Sequence, residues 1–125
     1  MVLPSILKKV AQTHGSSVAY LTADGEAITY KQLDHYSEEI AAWMRFKGIR
    51  EGSVVALCLP SQIEYILSYL AVAKLGAVTA GVNPRFTAAE RKNILKLLRP
   101  DLVVTAHDWD QGIQDEWHVE YIRFA

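Results

Sequence analysis

The stretch VVALCLPSQIEYILSYLAVAKLGAVTAGV, residues 54–82, decides how this chain folds. It opens and closes on short apolar runs, Val54 to Leu59 and Ala77 to Val82. Continuous apolarity of that length, without polar alternation, is expected of parallel strands covered on both faces. Between them Ile63, Ile66, Leu67 and Leu70 make one helical stripe, and Tyr65, Tyr69 and Val72 another. The spacing predicts a helix from about Gln62 to Leu75, apolar nearly all round and therefore buried on two sides, with Gly76 ending it. Ile63 to Val82 is also about long enough to cross a bilayer. Glu64, Lys74 and Gly76 interrupt it, however, and Asn83-Pro84 closes it. Helix followed by strand is the better account.

Working outward, the same punctuation repeats. Upstream, the pattern predicts a helix from Tyr30 to about Lys47, with Leu33, Tyr36, Ile40 and Met44 inward and Asp34, Glu38 and Arg45 outward. Gly48 is placed as its stop. Downstream, Ala88 to Leu98 reads as a third helix with Ile94, Leu97 and Leu98 inward, ended by Arg99-Pro100. Thr29 with Gln32, Ser61 with Glu64, and Thr87 with Glu90 all fit the capping box, in which two side chains satisfy each other's free backbone N–H groups. Leu102 to Thr105 is a further buried strand. Strand, helix, strand, helix, strand over residues 53–106 predicts a βαβαβ core with two right-handed crossovers on a parallel sheet. In front of it, SVAYLTA (17–23) and EAIT (26–29) flank Asp24-Gly25, a β-hairpin signal over 17–29. Ser5 is positioned to cap a short amphipathic helix ending near His14-Gly15. At the other end, 111–117 is polar without a period, and Val119 to Phe124 reads as one more strand. The whole of 1–125 is read as one α/β unit, a parallel-sheet layered arrangement with helices on both faces plus the small hairpin.

Composition narrows the function classes. The chain has 125 residues, a net charge of −1, 50% hydrophobic residues and one cysteine. A near-neutral balance argues against non-specific grip on nucleic acid or anionic membrane. One cysteine excludes an internal disulfide framework. The start, MVLPSILKK, lacks a secretory layout, so a cytoplasmic location is expected. Charge is uneven: twelve basic and eight acidic residues precede Asp101, while from Asp101 to Ala125 there are six acidic residues and Arg123 alone. A solvated acidic surface is a plainer account of that tail than a basic partner's docking site.

No complete active site is legible. The turn after the first parallel strand, Leu59-Pro60-Ser61-Gln62, has no glycine, and no G-x-x-x-x-G-K-[ST] occurs. Gly48 and Gly52 precede a strand, which makes theirs a connection rather than a phosphate cradle. Ser61 lacks nucleophile-elbow context, and Cys58 sits in the most apolar run, where thiols are inert packing groups. His14, His35, His107 and His118 are scattered. The pairs His107-Asp108 and His118/Glu120 are metal-ligating types without the spacing of a site. Glu38 and Glu39 are adjacent and do not converge. Trp109 and Trp117 are read as hydrophobic plugs under a loop in preference to a docking patch. Arg85 follows the Asn83-Pro84 turn at a strand end, where parallel sheets bind ligands, and is the single candidate binding residue. A structural salt bridge is the competing account. No catalytic residue and no metal ligand is assigned.

Taken in order, the segments resemble the N-terminal part of the adenylate-forming enzymes, the acyl-CoA synthetase and AMP-dependent ligase superfamily. ITYKQLDHYSEEIAAWMRFKGIREGSVVALCLPSQIEY (28–65) is similar to its early T-Y-x-E-L … G-I/V-x-x-G-D-x-V pattern, with Gln32 for the usual glutamate and Ser53 for the usual aspartate. LAVAKLGAVTAGVNPRFTAAE (70–90) resembles the K-x-G-A-x-x-x-x-x-N-P segment, and LLRPDLVVT (97–105) follows. Asn83-Pro84-Arg85-Phe86-Thr87 looks more like acyl-CoA synthetases than peptide-synthetase domains. The resemblance implies ATP, Mg and CoA as cofactors of the whole enzyme and two steps: adenylation of a carboxylic acid, then transfer of the acyl group to a thiol. No stretch like T-S-G-T-T-G-x-P-K is present, so the expectation is a catalytically incomplete segment of such a ligase. The alternative is a standalone non-enzymatic interaction module on the same scaffold. Either way the expected partners are the remainder of a synthetase, or a second copy through an exposed sheet edge or apolar helix face. No nucleic acid and no integral membrane segment are expected.

Overall fold

The run that opens the quoted stretch becomes the central strand of a four-stranded parallel sheet in the computed structural model, which describes residues 2–106, 114 and 117–122. In chain order the elements are α1 (Val2–Thr13), β1 (Val18–Leu21), β2 (Ala27–Thr29), α2 (Tyr30–Phe46), β3 (Val54–Cys58), α3 (Ile63–Lys74), β4 (Val78–Gly81), α4 (Ala88–Leu98), β5 (Leu102–Thr105) and β6 (Val119–Tyr121). The large sheet runs β4-β3-β5-β6, and β1 pairs β2 antiparallel in a separate ribbon. β3 aligns Val54 with Val78 on one side and Val55 with Leu102 on the other.

Side chains alternate across the sheet and build two cores. Val55, Leu57, Leu102 and Val104 meet Ala41 and Met44 of α2 and Ala71 and Val72 of α3. On the opposite face Ala56, Cys58 and Val103 meet Leu95 of α4, with Ile94, Leu98 and Trp117 alongside. A third cluster, built on Leu7, Ile28, Leu33 and Leu67, attaches α1 and the hairpin to α2 and α3. The chain steps from β3 to β4 by way of α3, then across β3 to β5 by way of α4. Opposite steps over opposite faces keep one hand for both crossovers, the hand expected of parallel connections.

The helix ends explain where each element stops. α2 and α3 both finish in Schellman motifs. In α2, Gly48 N–H reaches Arg45 O and Ile49 N–H reaches Met44 O; in α3, Gly76 N–H reaches Ala73 O and Ala77 N–H reaches Val72 O. Both glycines have positive φ, 95° and 68°. Capping boxes form at Thr29/Gln32 and Thr87/Glu90. Hairpin closure needs positive φ only at Gly25 (86°), because Gly25 N–H reaches back to Thr22 O and Thr22 N–H to Glu26 O.

Four expectations are corrected. The Ser61/Glu64 box does not form: Gln62 N–H turns back to Pro60 O at 2.7 Å, which moves the cap to Gln62 and puts Tyr65, not Glu64, at the reciprocal position. Ser5 is not a cap, because α1 already begins at Val2; Pro4 falls in its first turn, where no intrahelical N–H is needed. Leu97 is 80% exposed, and the inward row of α4 is Ile94, Leu95 and Leu98. Asp34 and Glu38 do not simply face solvent, since both receive the ammonium of Lys74. The expected strand from Val119 is observed to Tyr121, and positions 123–124 lie outside the described residues.

Candidate functional site

In an open parallel sheet the free N–H groups of the following helices gather at the carboxyl ends of the strands. Ligands settle where neighbouring connections leave in opposite directions. Here that place is the gap between β3 and β5. Its described rim is Leu59 to Gln62 after β3 and Ala106 after β5; positions 107–113, including His107, Asp108 and Trp109, lie outside the described residues.

Arg85 is one strand away from this gap, on the segment that follows β4. Its N–H donates to Asn83 Oδ1 at 2.9 Å, which fixes the turn, and the residue is exposed. Among the described residues its guanidinium has no ion pair, so the structural salt bridge considered from sequence is not found there. The cation that does hold this corner is Arg91, which no sequence pattern singles out. From the first turn of α4 it donates to Phe86 O at 2.6 Å and tethers the 83–87 segment. Its charge also lies near Cys58. Burial outweighs that charge and pushes the Cys58 thiol up to about 11. A thiol so protonated at neutral pH is a packing group.

The glycines fall at the wrong end of the sheet for phosphate. Gly48, Gly52 and Gly76 sit before β3 and β4, and Gly52 N–H bonds Gly76 O at 3.0 Å. At the carboxyl end stands Gly81, where a Cβ would meet the Tyr65 hydroxyl at 3.1 Å. An open hollow of about 830 Å³ beside Gln12, Ser16, Lys31 and Gln32 lies between α1, the hairpin and α2, away from the strand ends.

The remaining candidates separate. Glu38 turns to Lys74 and Glu39 to His35 (2.6 Å), so the two carboxylates diverge. His118 stands 3.5 Å from Glu120, whose carboxyl is held below its ordinary value chiefly by the hydrogen bond from Lys47. Among the described residues no cluster of His, Cys, Asp and Glu is fit to hold a metal. Trp117 packs against the α4-side core as a plug. What the sequence did not reveal is Lys74. Its side chain is only 7% exposed, and Nζ donates to Asp34 Oδ1 (2.7 Å), Asp34 O (3.0 Å) and Glu38 Oε1 (3.2 Å). That lysine opens the K-x-G-A segment. It ties the end of α3 to α2 one residue before the turn at Leu75-Gly76.

Among the described residues this is a doubly wound α/β scaffold whose turns at Gly48, Gly52 and Gly76 lie at the amino end of the sheet. The comparisons say which scaffold. The sequence profile described as AMP-binding enzyme matches residues 7–122, and the chain belongs to that family. It is 32% identical over 93 residues to 4-coumarate–CoA ligase 1 of Petroselinum crispum, covering 74% of this chain and 17% of the relative. It is 31% identical over 99 residues to the nonribosomal peptide synthetase GRA1 of Gibberella zeae, covering 79% of this chain and 1% of that protein. Its fold superposes on the Klebsiella oxytoca NpsA N-terminal subdomain, solved with 3-hydroxybenzoyl-AMSN, with a TM-score of 0.84 and 24% identity, covering 95% of this chain and 29% of that one. The chain thus spans under a fifth of each of these two curated relatives. Among the described residues no helix is long and apolar enough to cross a membrane. The turn after β3, Leu59 to Gln62, holds no glycine to cradle a triphosphate, and among the described residues Arg85 has no ion pair.

Proposed function

We propose that this chain supplies the opening α/β segment of a cytoplasmic ATP-dependent carboxylate–CoA ligase and is catalytically incomplete alone. The whole enzyme, with ATP and Mg, would join a carboxylic acid to AMP and then pass the acyl group to CoA. The observation that carries this reading is the 93-residue likeness to a 4-coumarate–CoA ligase, and the ordered segments 28–65, 70–90 and 97–105 support it. Asn83-Pro84-Arg85-Phe86-Thr87 supports a CoA ligase over a peptide-synthetase domain. The partner expected on this reading is the rest of such a ligase, which would bring the phosphate loop to the open gap between β3 and β5.

The test is ATP–pyrophosphate exchange with Mg and a panel of fatty and aromatic acids. The chain alone should give none, and an assembly with the remaining segment of a ligase should exchange with at least one acid and then form its CoA thioester. Robust exchange by the isolated chain would overturn the claim of incompleteness. Exchange without thioester formation would move the assignment to the peptide-synthetase branch.

A further inference from the structure

The two edges of the large sheet are guarded differently. β6 carries Glu120 at its centre, bound to Lys47. Two β6 strands paired antiparallel about that residue would bring carboxylate against carboxylate, an unfavourable cross-strand pair. β4 reads Val78-Thr79-Ala80-Gly81, with no charge, no proline and no bulge against β3. Natural sheets blunt a free edge with such devices, and apart from its shortness β4 has none. Among the described residues no strand lies on its outer side.

The register says which backbone groups are free. Val78 N–H donates to Ser53 O and Val82 N–H to Leu57 O, and Ala80 lies opposite Ala56 in the same ladder. In a parallel pair the N–H and C=O of one residue point to the same side. Residues 78, 80 and 82 therefore face β3, while Thr79 and Gly81 direct both backbone groups outward. Those two positions are each other's complement in an antiparallel pair centred on Ala80. Thr79 of one copy then exchanges both hydrogen bonds with Gly81 of the other. The Thr79 side chain lies opposite a residue with none, and Ala80 faces Ala80 across the close, non-bonded position.

We infer that a second copy of this chain docks on the outer edge of β4, antiparallel about a two-fold axis at Ala80, and joins the two sheets into one. No like charges meet across that axis. The seam is short, which places it among small, transient interfaces. The inference does not depend on the ligase assignment, since it rests only on the edge and would survive a failed exchange assay.

Sedimentation equilibrium of the full chain from micromolar to millimolar concentration tests it. A concentration-dependent dimer is expected, with slowed amide hydrogen exchange at Thr79 and Gly81 as the dimer fills. Thr79→Pro removes an outward N–H without touching the β3 ladder and should abolish association. Val78→Lys, at a side chain 52% exposed, places a charge beside the seam and should do the same even if the proline variant fails to fold. Leu97→Lys, on the far surface of α4, should leave the dimer intact. A chain that stays monomeric to millimolar concentration overturns the proposal, as does a dimer that survives Val78→Lys.

Discussion

At the scale of single residues, Lys74 and Arg99 show two ways in which a side chain sets local stability. Lys74 is nearly buried and meets two carboxylates and a carbonyl. Removing one partner from a buried, hydrogen-bonded charge pair costs more than the pair contributes, because the other is left unpaired. Lys74→Ala should lower stability by about 2 kcal/mol in urea unfolding. The double variant with Asp34→Ala should lose less than the two single losses added together, and strict additivity would show that the contact carries nothing. Arg99 caps α4 at φ 48° and ψ 58°, the one described non-glycine residue with positive φ. Left-handed backbone costs an ordinary L-residue about 1–2 kcal/mol. Arg99 is exposed, so Arg99→Gly should raise stability by roughly 0.5–1 kcal/mol, visible as an upward shift in Tm. Pre-proline sterics at Pro100 predicted that α4 ends there but not that Arg99 turns left-handed, since the closing bond to Leu95 O is a backbone event.

Elements were legible from sequence where their signal was local. Thr29/Gln32 and Thr87/Glu90 formed the boxes their spacing announced, whereas Ser61/Glu64, with the same spacing, did not. The difference is Pro60, whose carbonyl captures Gln62 N–H and shifts the start of α3 by one residue. A direct consequence is that Thr87→Ala should destabilise by about 1 kcal/mol and Ser61→Ala by no more than a few tenths. Equal losses would sink that assignment of the caps. The Thr87 box also carries a pH signature. Its backbone N–H and hydroxyl hold the Glu90 carboxyl below its ordinary value near 4.5. The bonus is therefore full above that pH and fades as pH falls through the depressed native value, so Glu90→Gln should flatten the acid limb of the stability curve. The inward face of α4 was misjudged for a different reason. Leu95 and Leu97 are two apart on a short helix of weak amphipathicity, and tertiary packing chose Leu95.

For the whole molecule, the layered α/β architecture followed from the apolar runs at 54–59, 77–82 and 102–105, because only parallel strands covered on both faces are apolar throughout. Sheet order was not legible, since any pair of those runs is hydrophobic enough to be neighbours. The candidate site was read thinly. Arg85 was found at a strand end but one strand from the gap; Lys74 carried no local signal because Asp34 is 40 positions away, and Arg91 none because its acceptor, Phe86 O, is a backbone group that no side-chain pattern marks.

The strand order has a kinetic side. β3 is flanked by β4, which follows within one crossover, and by β5, just before which Asp101 takes the Val54 N–H through Oδ2 at 2.8 Å and returns its own N–H to Val54 O at 2.8 Å. Those partners are 47 positions apart in the chain. Contacts so distant are reached late, after loop-closure entropy has been overcome. During synthesis the central strand emerges with one side dressed by β4 and the other bare until residue 105 is free. For that interval the most apolar strand of the protein offers an open edge to any extended chain nearby, a window in which a nascent-chain chaperone would find its substrate.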